Sequence, residues 1–249
     1  MKLSMIDRFQ SQMQALQMLT RAQDVTADNL ANINTPGFKG NKLFQRLMTE
    51  QINGRDVQTT VDMQQIDLSQ GVLEPTGNTF DFGIDGKGFF AVEQDGESFL
   101  TRDGRFHLDS DGFLLNNQGA NVIGSSGAIH IPEYFQATGD GTGMVLDVGK
   151  DGTLRLNGEV YDQLQIVGVD DPSSLERKGS NYFSAPASQL VDVSGESNVM
   201  QGFYEKGNVE PLQEMVDMMR NSQMFEAQQR AMRTTDETLA QATSSLGRF

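Results

Sequence analysis

A few residues in the sequence have the types and spacing that chemistry requires. The run Gly86-Lys87-Gly88-Phe89-Phe90-Ala91 formally fits the dinucleotide-binding pattern. That pattern needs a strand before it and a helix after it, and a β-type run follows here. Asp109-Ser110-Asp111-Gly112 has the spacing of the start of a calcium loop, but the remaining ligands are absent and turn formation explains it. We therefore predict neither a nucleotide site nor a calcium site.

Carboxylates and histidines are the remaining candidates for catalysis. The 34 acidic residues leave a carboxylate-based hydrolase open, because spacing alone selects no pair among them. His107 and His130 each lie between two apolar residues, as a structural histidine on a strand does, and neither has a serine and an acid placed for nucleophilic catalysis. The absence of cysteine excludes disulfides and thiolate chemistry. We predict no catalytic site, no metal and no cofactor.

The charge of the chain limits its partners. With 19 basic and 34 acidic residues, the net charge is −15 and the pI is about 4.4, which argues against binding nucleic acid. No apolar run approaches the roughly 18 residues of a membrane span, and Lys2 is not followed by the apolar core of a secretory signal. We expect a soluble chain without membrane insertion that is not cleaved by the general secretory route.

The glycines divide the elements of the chain into helical ends and a β-rich middle. Seventeen of the 26 glycines fall between Gly71 and Gly158, and none occurs in 1–36 or 208–246. The middle also holds most of the acidity. The predicted parts are an N-terminal helix and turn over 1–39, an extended connector over 40–75, a β-rich outer body over 76–206 and a C-terminal helix over 207–249.

Turn dipeptides punctuate the middle segment. Asn157-Gly158 and a series of Asp-Gly pairs favour the positive φ of tight hairpins. The Asp-Gly pairs lie at 85–86, 95–96, 103–104, 111–112, 140–141 and 151–152. Short strands are predicted between them, over 89–92, 99–101, 106–108, 113–115, 144–148, 153–156 and 164–169. An all-β body with closely spaced turns follows.

The two terminal helices carry apolar stripes wider than one partner can cover. In the C-terminal helix one apolar line repeats every seven residues and a second line runs through its first half. The helix contacts predicted from these stripes are Ile6, Phe9, Met13, Leu16, Leu19, Leu30, Val209, Leu212, Val216, Met218, Met219, Phe225, Met232, Leu239 and Leu246. Asn221, Gln228 and Thr235 each lie three residues after a member of the apolar line that repeats every seven residues. We expect this polar side of the helix to face water.

The ends of both helices are marked in the sequence. Asn208 is a good N-cap, with Glu210 and Pro211 in the first turn after it, and Gly247 predicts the end of that helix. The N-terminal helix stops before Asn34-Thr35-Pro36-Gly37, where proline followed by glycine predicts a type II turn. Gly37 is therefore expected at positive φ.

The stretch 27–39, Ala-Asp-Asn-Leu-Ala-Asn-Ile-Asn-Thr-Pro-Gly-Phe-Lys, resembles the signature of the flagellar rod and hook family of bacterial axial proteins. The body segments 86–92, 101–106 and 111–114 resemble the core of its rod members. The C-terminal helix of the family is matched at Asn208-Val209, Glu214-Met215-Val216, Phe225-Glu226, Thr235-Asp236-Glu237 and Leu239. One departure is Gly207, where the family usually has serine.

This resemblance implies a non-enzymatic structural subunit of the flagellar basal-body rod. The implied fold is a mainly β body with long N- and C-terminal α-helices that pair into a coiled-coil-like tube domain. Subunits would leave the cell through the flagellar type III export apparatus and assemble in the periplasm, with copies of themselves and other rod proteins, into a helical tube that transmits torque. The implied signature turn consists of Asn29, Asn32, Asn34, Thr35, Pro36, Gly37 and Phe38.

Alternative functions stay open on sequence alone. Within the family, 225–228 and the chain length resemble the proximal rod protein more than the distal one, and hook-type proteins usually carry a further outer domain for which 249 residues leave little room. Outside the family, a secreted β-domain could bind glycan or another ligand and use the helices as an oligomerising stalk. The carboxylate-based hydrolase is the third class.

Overall fold

The chain folds into two compact units, each built from separate stretches of sequence. The computed structural model describes residues 2–52, 55–131, 145–179 and 181–246, and side chains over these ranges except at 2–10, 45–52, 55–62, 239 and 241–246. The helical unit comprises the chain up to Ala31, Asn41–Gln65 and the chain from Glu210. The β unit comprises Asn32–Gly40 and Ile66–Val209.

The helical unit contains both long helices and one small sheet. Helix α1 spans Lys2–Ala31 and helix α2 spans Pro211–Leu246. Strands β1 (Asn41–Ile52) and β2 (Arg55–Ile66) form a two-stranded sheet. Helix α1 contacts α2 and β1. Within the residues described, neither helix has the length and apolarity that crossing a membrane would require.

The β unit is built from short strands. They are β3 (Leu73–Pro75), β4 (Phe82–Asp85), β5 (Phe89–Gln94), β6 (Glu97–Thr101), β7 (Phe106–Leu108), β8 (Leu114–Asn116), β9 (Asn121–Gly124), β10 (Gly127–Ala128), β11 (Leu146–Val148), β12 (Thr153–Leu156), β13 (Glu159–Gln163), β14 (Ile166–Val169), β15 (Glu176–Lys178), β16 (Tyr182–Ser184), β17 (Leu190–Asp192), β18 (Asn198–Gln201) and β19 (Phe203–Glu205). Short 3₁₀ helices occupy Pro172–Ser174 and Ala187–Gln189. The described chain is therefore mainly β with a long helix at each end.

One large antiparallel sheet organises this unit. Its strand order is β15-β16-β6-β5-β9-β8-β7, with β10 paired to β9, β14 to β5 and β17 to β14. Smaller sheets are β11-β12-β13, β18-β4 and β19-β3. The pair β19-β3 places Glu205 opposite Leu73 and Tyr204 opposite Glu74. The end of the β unit is thus paired with its beginning.

The core of the β unit is aromatic and aliphatic. Phe82, Phe90 and Phe106 are buried together, and the rings of Phe90 and Phe106 meet edge to face with centroids 5.2 Å apart. A second cluster forms around Phe89 and Phe183, whose ring centroids are 5.4 Å apart. Alternation of buried and exposed residues along the short strands supplies both clusters.

The predicted strands and most predicted turns are confirmed, apart from Met144, which lies outside the described residues. Asp95 and Asn157 lie at φ of 54° and 51°, as expected for the first residue of a tight hairpin turn. The positive φ predicted for the Asp103-Gly104 turn is wrong, because Gly104 does not have a positive φ. A Cβ atom there would lie 1.7 Å from the Phe82 carbonyl oxygen, so close approach of two backbones requires this glycine. Asp140-Gly141 lies outside the described residues.

The predicted connector and helix start differ from the structure. Residues 40–75 are extended over much of their length, but 41–52 and 55–66 pair with each other as β1 and β2. Pairing satisfies backbone groups that an isolated extended connector would leave to water. Helix α2 begins at Pro211, three residues after the predicted cap Asn208, and the predicted end at Gly247 lies outside the described residues.

Candidate assembly site

The signature turn forms the type II turn that its sequence predicts. Phe38 N donates to the Thr35 carbonyl at 3.2 Å, which closes the turn around Pro36 and Gly37. Gly37 has a φ of 69°, so the predicted positive φ is confirmed. The preceding bond, from Thr35 N to the Asn32 carbonyl at 3.0 Å, continues the folded path. We call Asn32–Gly40, which belongs to the β unit, the docking segment.

Gly37 also touches the backbone of the β unit. A Cβ atom on Gly37 would lie 2.3 Å from Asp103 N and 2.4 Å from the carbonyl carbon of Arg102. Its own N–H donates to the Glu205 carbonyl at 2.7 Å. The position therefore needs glycine for two reasons, the left-handed backbone and the lack of space.

Directly after the turn lies a buried ion cluster, which consists of Lys39, Arg102 and Glu205. Lys39 Nζ is 2.6 Å from Glu205 Oε1, and Arg102 Nη1 is 2.9 Å from Glu205 Oε2. The side chains of Lys39 and Glu205 are each 1% exposed and that of Arg102 is 4% exposed. One carboxylate is thus bound by two cations away from water.

Backbone groups add further bonds to this cluster, although the buried Arg102 Nε has no hydrogen-bond partner. Lys39 Nζ donates to the Ser69 carbonyl at 2.8 Å, and Gly71 N donates to Glu205 Oε1 at 2.7 Å. The Arg102 guanidinium donates to the carbonyls of Ile84 and Gly86 at 3.2 and 2.6 Å. Such bonds are what allow a buried ion pair to be tolerated, because they replace the lost hydration of each charge.

Burial disfavours the charged forms of both cations in the cluster. Burial lowers the pKa of the Lys39 ammonium from its ordinary value, while the nearby Glu205 carboxylate acts in the opposite direction. Burial also lowers the pKa of the Arg102 guanidinium, and Glu205 again opposes it. Glu205 is therefore the residue whose charge keeps both cations in place.

Phe38 is held by a third cation. The Arg177 guanidinium lies over its ring with Cζ 4.6 Å from the centroid, and over the Phe183 ring at 5.1 Å. Arg177 also donates to the Lys39 carbonyl. Phe38 itself is 1% exposed, so the aromatic residue of the signature is part of the interior of the β unit.

Asn208 binds the docking segment instead of capping α2. Its Oδ1 accepts from Gly40 N at 2.7 Å, and its Nδ2 donates to the carbonyls of Asp67 and Ser69 at 2.8 and 2.9 Å. Its backbone N–H donates to the Phe38 carbonyl at 3.2 Å. The prediction that Asn208 caps α2 is therefore wrong. The donor and acceptor of its side-chain amide, which would suit an N-cap, instead form hydrogen bonds that join three extended segments.

Asn29 has a comparable role inside the helical unit. Its Nδ2 donates to the Asn41 carbonyl at 3.0 Å and to Glu214 Oε1 at 2.9 Å, and Asn41 N donates back to Asn29 Oδ1 at 2.8 Å. One buried amide therefore joins α1, the start of β1 and the first turn of α2. Partial burial raises the pKa of the Glu214 carboxyl above its ordinary value of 4.5, although the bond from Asn29 acts in the opposite direction.

Glu214→Gln is expected to remove a pH dependence of stability. A carboxyl with a raised folded pKa contributes stability below its unfolded pKa, and this contribution is lost as the pH rises through the folded pKa. The wild-type chain should therefore weaken relative to Glu214→Gln as the pH rises above 4.5, because glutamine keeps the acceptor for Asn29 without the charge. Thermal unfolding across about pH 4 to 7 measures this. The exposed Glu226→Gln is the control, and parallel profiles for both variants would contradict the assignment.

The predicted helix contacts are partly covered within the subunit. Leu19 is buried. The half-buried members are Leu16, Leu30, Met218, Phe225, Met232 and, in the β unit, Val209. Exposed members are Met13, Leu212, Val216 and Met219. The side chains of Ile6, Phe9, Leu239 and Leu246 lie outside the described residues. Three of the four exposed contacts lie in the first turns of α2.

The polar line of α2 is half-buried in the single subunit. Asn221, Gln228 and Thr235 are half-buried, as are Met218 and Phe225. Positions three residues apart are only about 60° apart around a helix, so one covering neighbour reaches both lines. That these three residues face water in the assembled tube stays a prediction.

The other candidate sites have structural explanations. The run from Gly86 leads into strand β5, so the helix required by the dinucleotide pattern is not there. Asp109 Oδ1 accepts from Asp111 N at 3.0 Å and from Phe113 N at 2.8 Å, which is turn chemistry. His130 stacks on Phe113 with ring centroids 4.3 Å apart. Over the described residues, no three potential metal ligands of the His, Cys, Asp and Glu types come together.

Comparison with known proteins gives three family matches along the chain. The family described as flagella basal body rod protein matches residues 9–39. The family described as flagellar hook protein FlgE/F/G D1 domain matches 83–156, and that described as flagellar basal body rod FlgEFG protein C-terminal matches 200–245. The first and last matches include the signature turn and α2.

Relatives match over nearly the whole length. The flagellar basal-body rod protein FlgF of Caulobacter vibrioides is 30% identical over 239 residues, which cover 93% of this chain and 94% of the relative. The chain belongs to the flagellar basal-body rod protein family. FlgF of Rhizobium meliloti is 31% identical, with 92% and 93% covered, and FlgG of Bacillus subtilis is 28% identical, with 87% and 90% covered.

Family membership confirms the main expectation from the sequence. The protein is a structural subunit of the flagellar basal-body rod, and it is not an enzyme, because the family is structural. The ligand-binding β-domain and the carboxylate-based hydrolase gain no support from these relatives. Relatives named FlgF and FlgG have similar identities to this chain, so resemblance to the proximal rod protein stays a prediction.

Proposed function

We propose that this rod subunit assembles through α1 and α2 into a helical tube that transmits torque. The observation that carries the proposal is an exposed apolar line on the first turns of α2. Leu212, Val216 and Met219 recur at helical spacing, and Leu212 is 76% exposed. Clustered exposed apolar side chains mark interaction sites, and burying each one completely is worth about 1.5–3 kcal/mol.

The covered side of α2 supports a coiled-coil-like pairing of the terminal helices. Met218, Phe225 and Met232 repeat every seven residues and are half-buried, and α1 contacts α2. Half-buried residues have area left for a further neighbour. Helices of adjacent copies would cover it when they interdigitate, which gives each helix partners both inside and outside its own subunit.

The predicted partners fit this mode of assembly. They are copies of this chain and other flagellar rod proteins, reached after passage through the flagellar type III export apparatus into the periplasm. The docking segment supports torque transmission by the subunit, because Gly37, Lys39 and Asn208 fix the path of the chain on the β unit by backbone contacts and buried charge. A loosely held segment would yield under load.

The double variant Val216→Asp with Met219→Asp tests the proposal. Both side chains are exposed in the subunit, so monomer stability should change by less than about 1 kcal/mol. Assembly should be abolished, because each interface would bury unpaired carboxylates. Sedimentation of the purified chain, together with motility and micrographs of basal bodies, measures assembly.

Controls separate folding from assembly in this test. Gln223→Asp adds one charge at an exposed polar position of the same helix and should leave assembly intact. Phe225→Asp should damage both, because Phe225 is already half-buried in the subunit. Normal rods in cells with Val216→Asp and Met219→Asp would show that this line of α2 makes no subunit contact.

A further inference from the structure

One exposed face of α1 carries three charged side chains near the end of the helix. Asp24 and Asp28 line a groove of about 500 Å³ together with Ala27 and Ala31 of the same helix. Arg21 lies one turn before them, and all three charged residues are exposed. Arg21 and Asp28 have partners within the subunit, but a guanidinium and a carboxylate each bind several groups at once. The three positions fall within about 60° around the helix, and we call them the α1 charged face.

Helix α2 carries a complementary set of charges on an exposed face of its own. Arg230, Arg233 and Glu237 are exposed, and they also fall within about 60° around the helix. We call them the α2 charged face. Arg230 Nη2 lies 4.0 Å from Glu226 Oε2, and these two side chains are 75% and 68% exposed. An exposed pair of this length is weak, so the guanidinium is able to bind a closer carboxylate.

The two charged faces match in one relative orientation of the helices. Spacings of three and four residues on α1 meet spacings of four and three on α2 when the helices run antiparallel, so one register satisfies every charge. The members of each pair also agree within about 20° in their position around the two helices. In a parallel arrangement Arg21 would face Arg230. The antiparallel pairs are Asp28 with Arg230, Asp24 with Arg233, and Arg21 with Glu237.

The charged faces of one subunit cannot meet each other. Asn29 Nδ2 is 2.9 Å from Glu214 Oε1, so the end of α1 lies beside the start of α2. The two helices contact each other and therefore run antiparallel within the subunit. Asp28 is then level with Met215, which is about 15 residues, or about 22 Å, from Arg230 along the helix axis. The pairing needs a second subunit displaced by this distance.

We propose that the α1 charged face of one subunit binds the α2 charged face of a second copy displaced along the helix axes. This inference rests on the proposed helical assembly and adds a register and a direction to it. Because α1 and α2 run antiparallel both within and between subunits, all subunits point the same way. Two different surfaces of one chain form a head-to-tail contact, which propagates as a helix. Exposed ion pairs add little affinity, but they determine partner choice and register, as they do in coiled coils.

Charge reversal tests the pairing in the full-length chain. Asp24→Lys with Asp28→Lys should raise the critical concentration for assembly about tenfold, because like charges then face each other. Arg230→Glu with Arg233→Glu should have the same effect. Combining all four substitutions restores opposite charges at every interface and should return the critical concentration to near the wild-type value. Sedimentation of the purified chain measures it, and additive losses in the fourfold variant would contradict the pairing.

The matched control for the acidic pair is Glu93→Lys with Glu97→Lys. These exposed positions of the β unit receive the same change in net charge, so assembly should stay at the wild-type level. Urea unfolding of each variant identifies any folding defect separately from assembly. If the control weakens assembly as much as Asp24→Lys with Asp28→Lys, net charge and not pairing determines the effect, and the proposal is wrong.

Cysteine cross-linking tests the register, because the chain has no cysteine of its own. Gln17 and Ala240 are exposed and continue the proposed register beyond Arg21 and Glu237. We expect a mixture of Gln17→Cys and Ala240→Cys, assembled and oxidised, to give about fivefold more linked heterodimer than a mixture of Gln17→Cys and Gln223→Cys. Gln223 is exposed on the same helix but lies about 25 Å before Ala240 along its axis.

The outcomes separate this inference from the proposed function. If both mixtures assemble and cross-link equally, the register is wrong and the helical tube stands. If the unmodified chain does not assemble, the proposed function and this contact fail together. Links only between identical variants would indicate a neighbour that points the opposite way, which would also overturn the proposal.

Discussion

Glu205→Ala is expected to destabilise the β unit by about 3–5 kcal/mol. The substitution leaves Lys39 and Arg102 buried without their shared carboxylate, which lies 2.6 and 2.9 Å from them. Removing one partner of a buried ion cluster is costly because the charge left behind has neither water nor counter-charge. Gly71 N also loses its acceptor. Urea unfolding of the full chain measures the loss, followed by tyrosine fluorescence because the chain has no tryptophan.

Glu74→Ala is the matched control for this prediction. Glu74 lies opposite Tyr204, next to Glu205 on the paired strands β3 and β19, and its ion pair with Lys206 is exposed to solvent. An exposed pair contributes about 0–1 kcal/mol. If the two variants lose similar amounts of unfolding free energy, burial does not determine how strongly the cluster stabilises the β unit. Other contacts would then hold the docking segment.

Gly37→Ala is expected to displace the docking segment. Alanine at a φ of 69° costs about 1–2 kcal/mol for the left-handed backbone alone. Its Cβ would also lie 2.3 Å from Asp103 N, and backbone cannot move aside as a flexible side chain can. Overpacking of this kind adds about 1–3 kcal/mol. We expect reduced stability of the β unit, measured by urea unfolding, and loss of motility in cells.

Gly77→Ala separates the two contributions. Gly77 has a φ of 71°, almost the same as that of Gly37, and a Cβ atom there meets nothing within 4 Å. Its substitution should show the backbone cost without the collision. The difference between the two variants therefore reports the contact of Gly37 with Arg102 and Asp103. If both variants lose the same unfolding free energy, the docking segment shifts to relieve the collision and the close contact does not affect stability.

The predicted body, 76–206, and the compact β unit differ in their bounds. The predicted body, 76–206, lacks strand β3, which pairs with β19, and it lacks Lys39. Such a fragment would keep Glu205 and Arg102 but lose their buried partner. The compact unit instead combines 32–40 with 66–209.

Local chemistry was determined by the sequence itself. Pro36 followed by Gly37 predicted a type II turn, and the Asp95-Gly96 and Asn157-Gly158 dipeptides predicted tight turns between short strands. These features depend on the φ preferences of two or three adjacent residues, and only a close contact such as that of Gly104 with Phe82 overrides them. The resemblance of 27–39 to the flagellar rod and hook family was readable for the same reason, because that signature is one continuous stretch.

Only the tertiary structure decided which charged and polar residues meet. Lys39 and Glu205 are 166 residues apart in the sequence and Arg102 and Glu205 are 103 apart, so no spacing rule links them. Asn208 had the side chain of an N-cap, but the proximity of Gly40 and Asp67 gave its amide other partners. Local propensities fix turns and strand lengths, whereas a buried polar group binds whichever backbone the fold brings beside it, since burial without a partner is too costly.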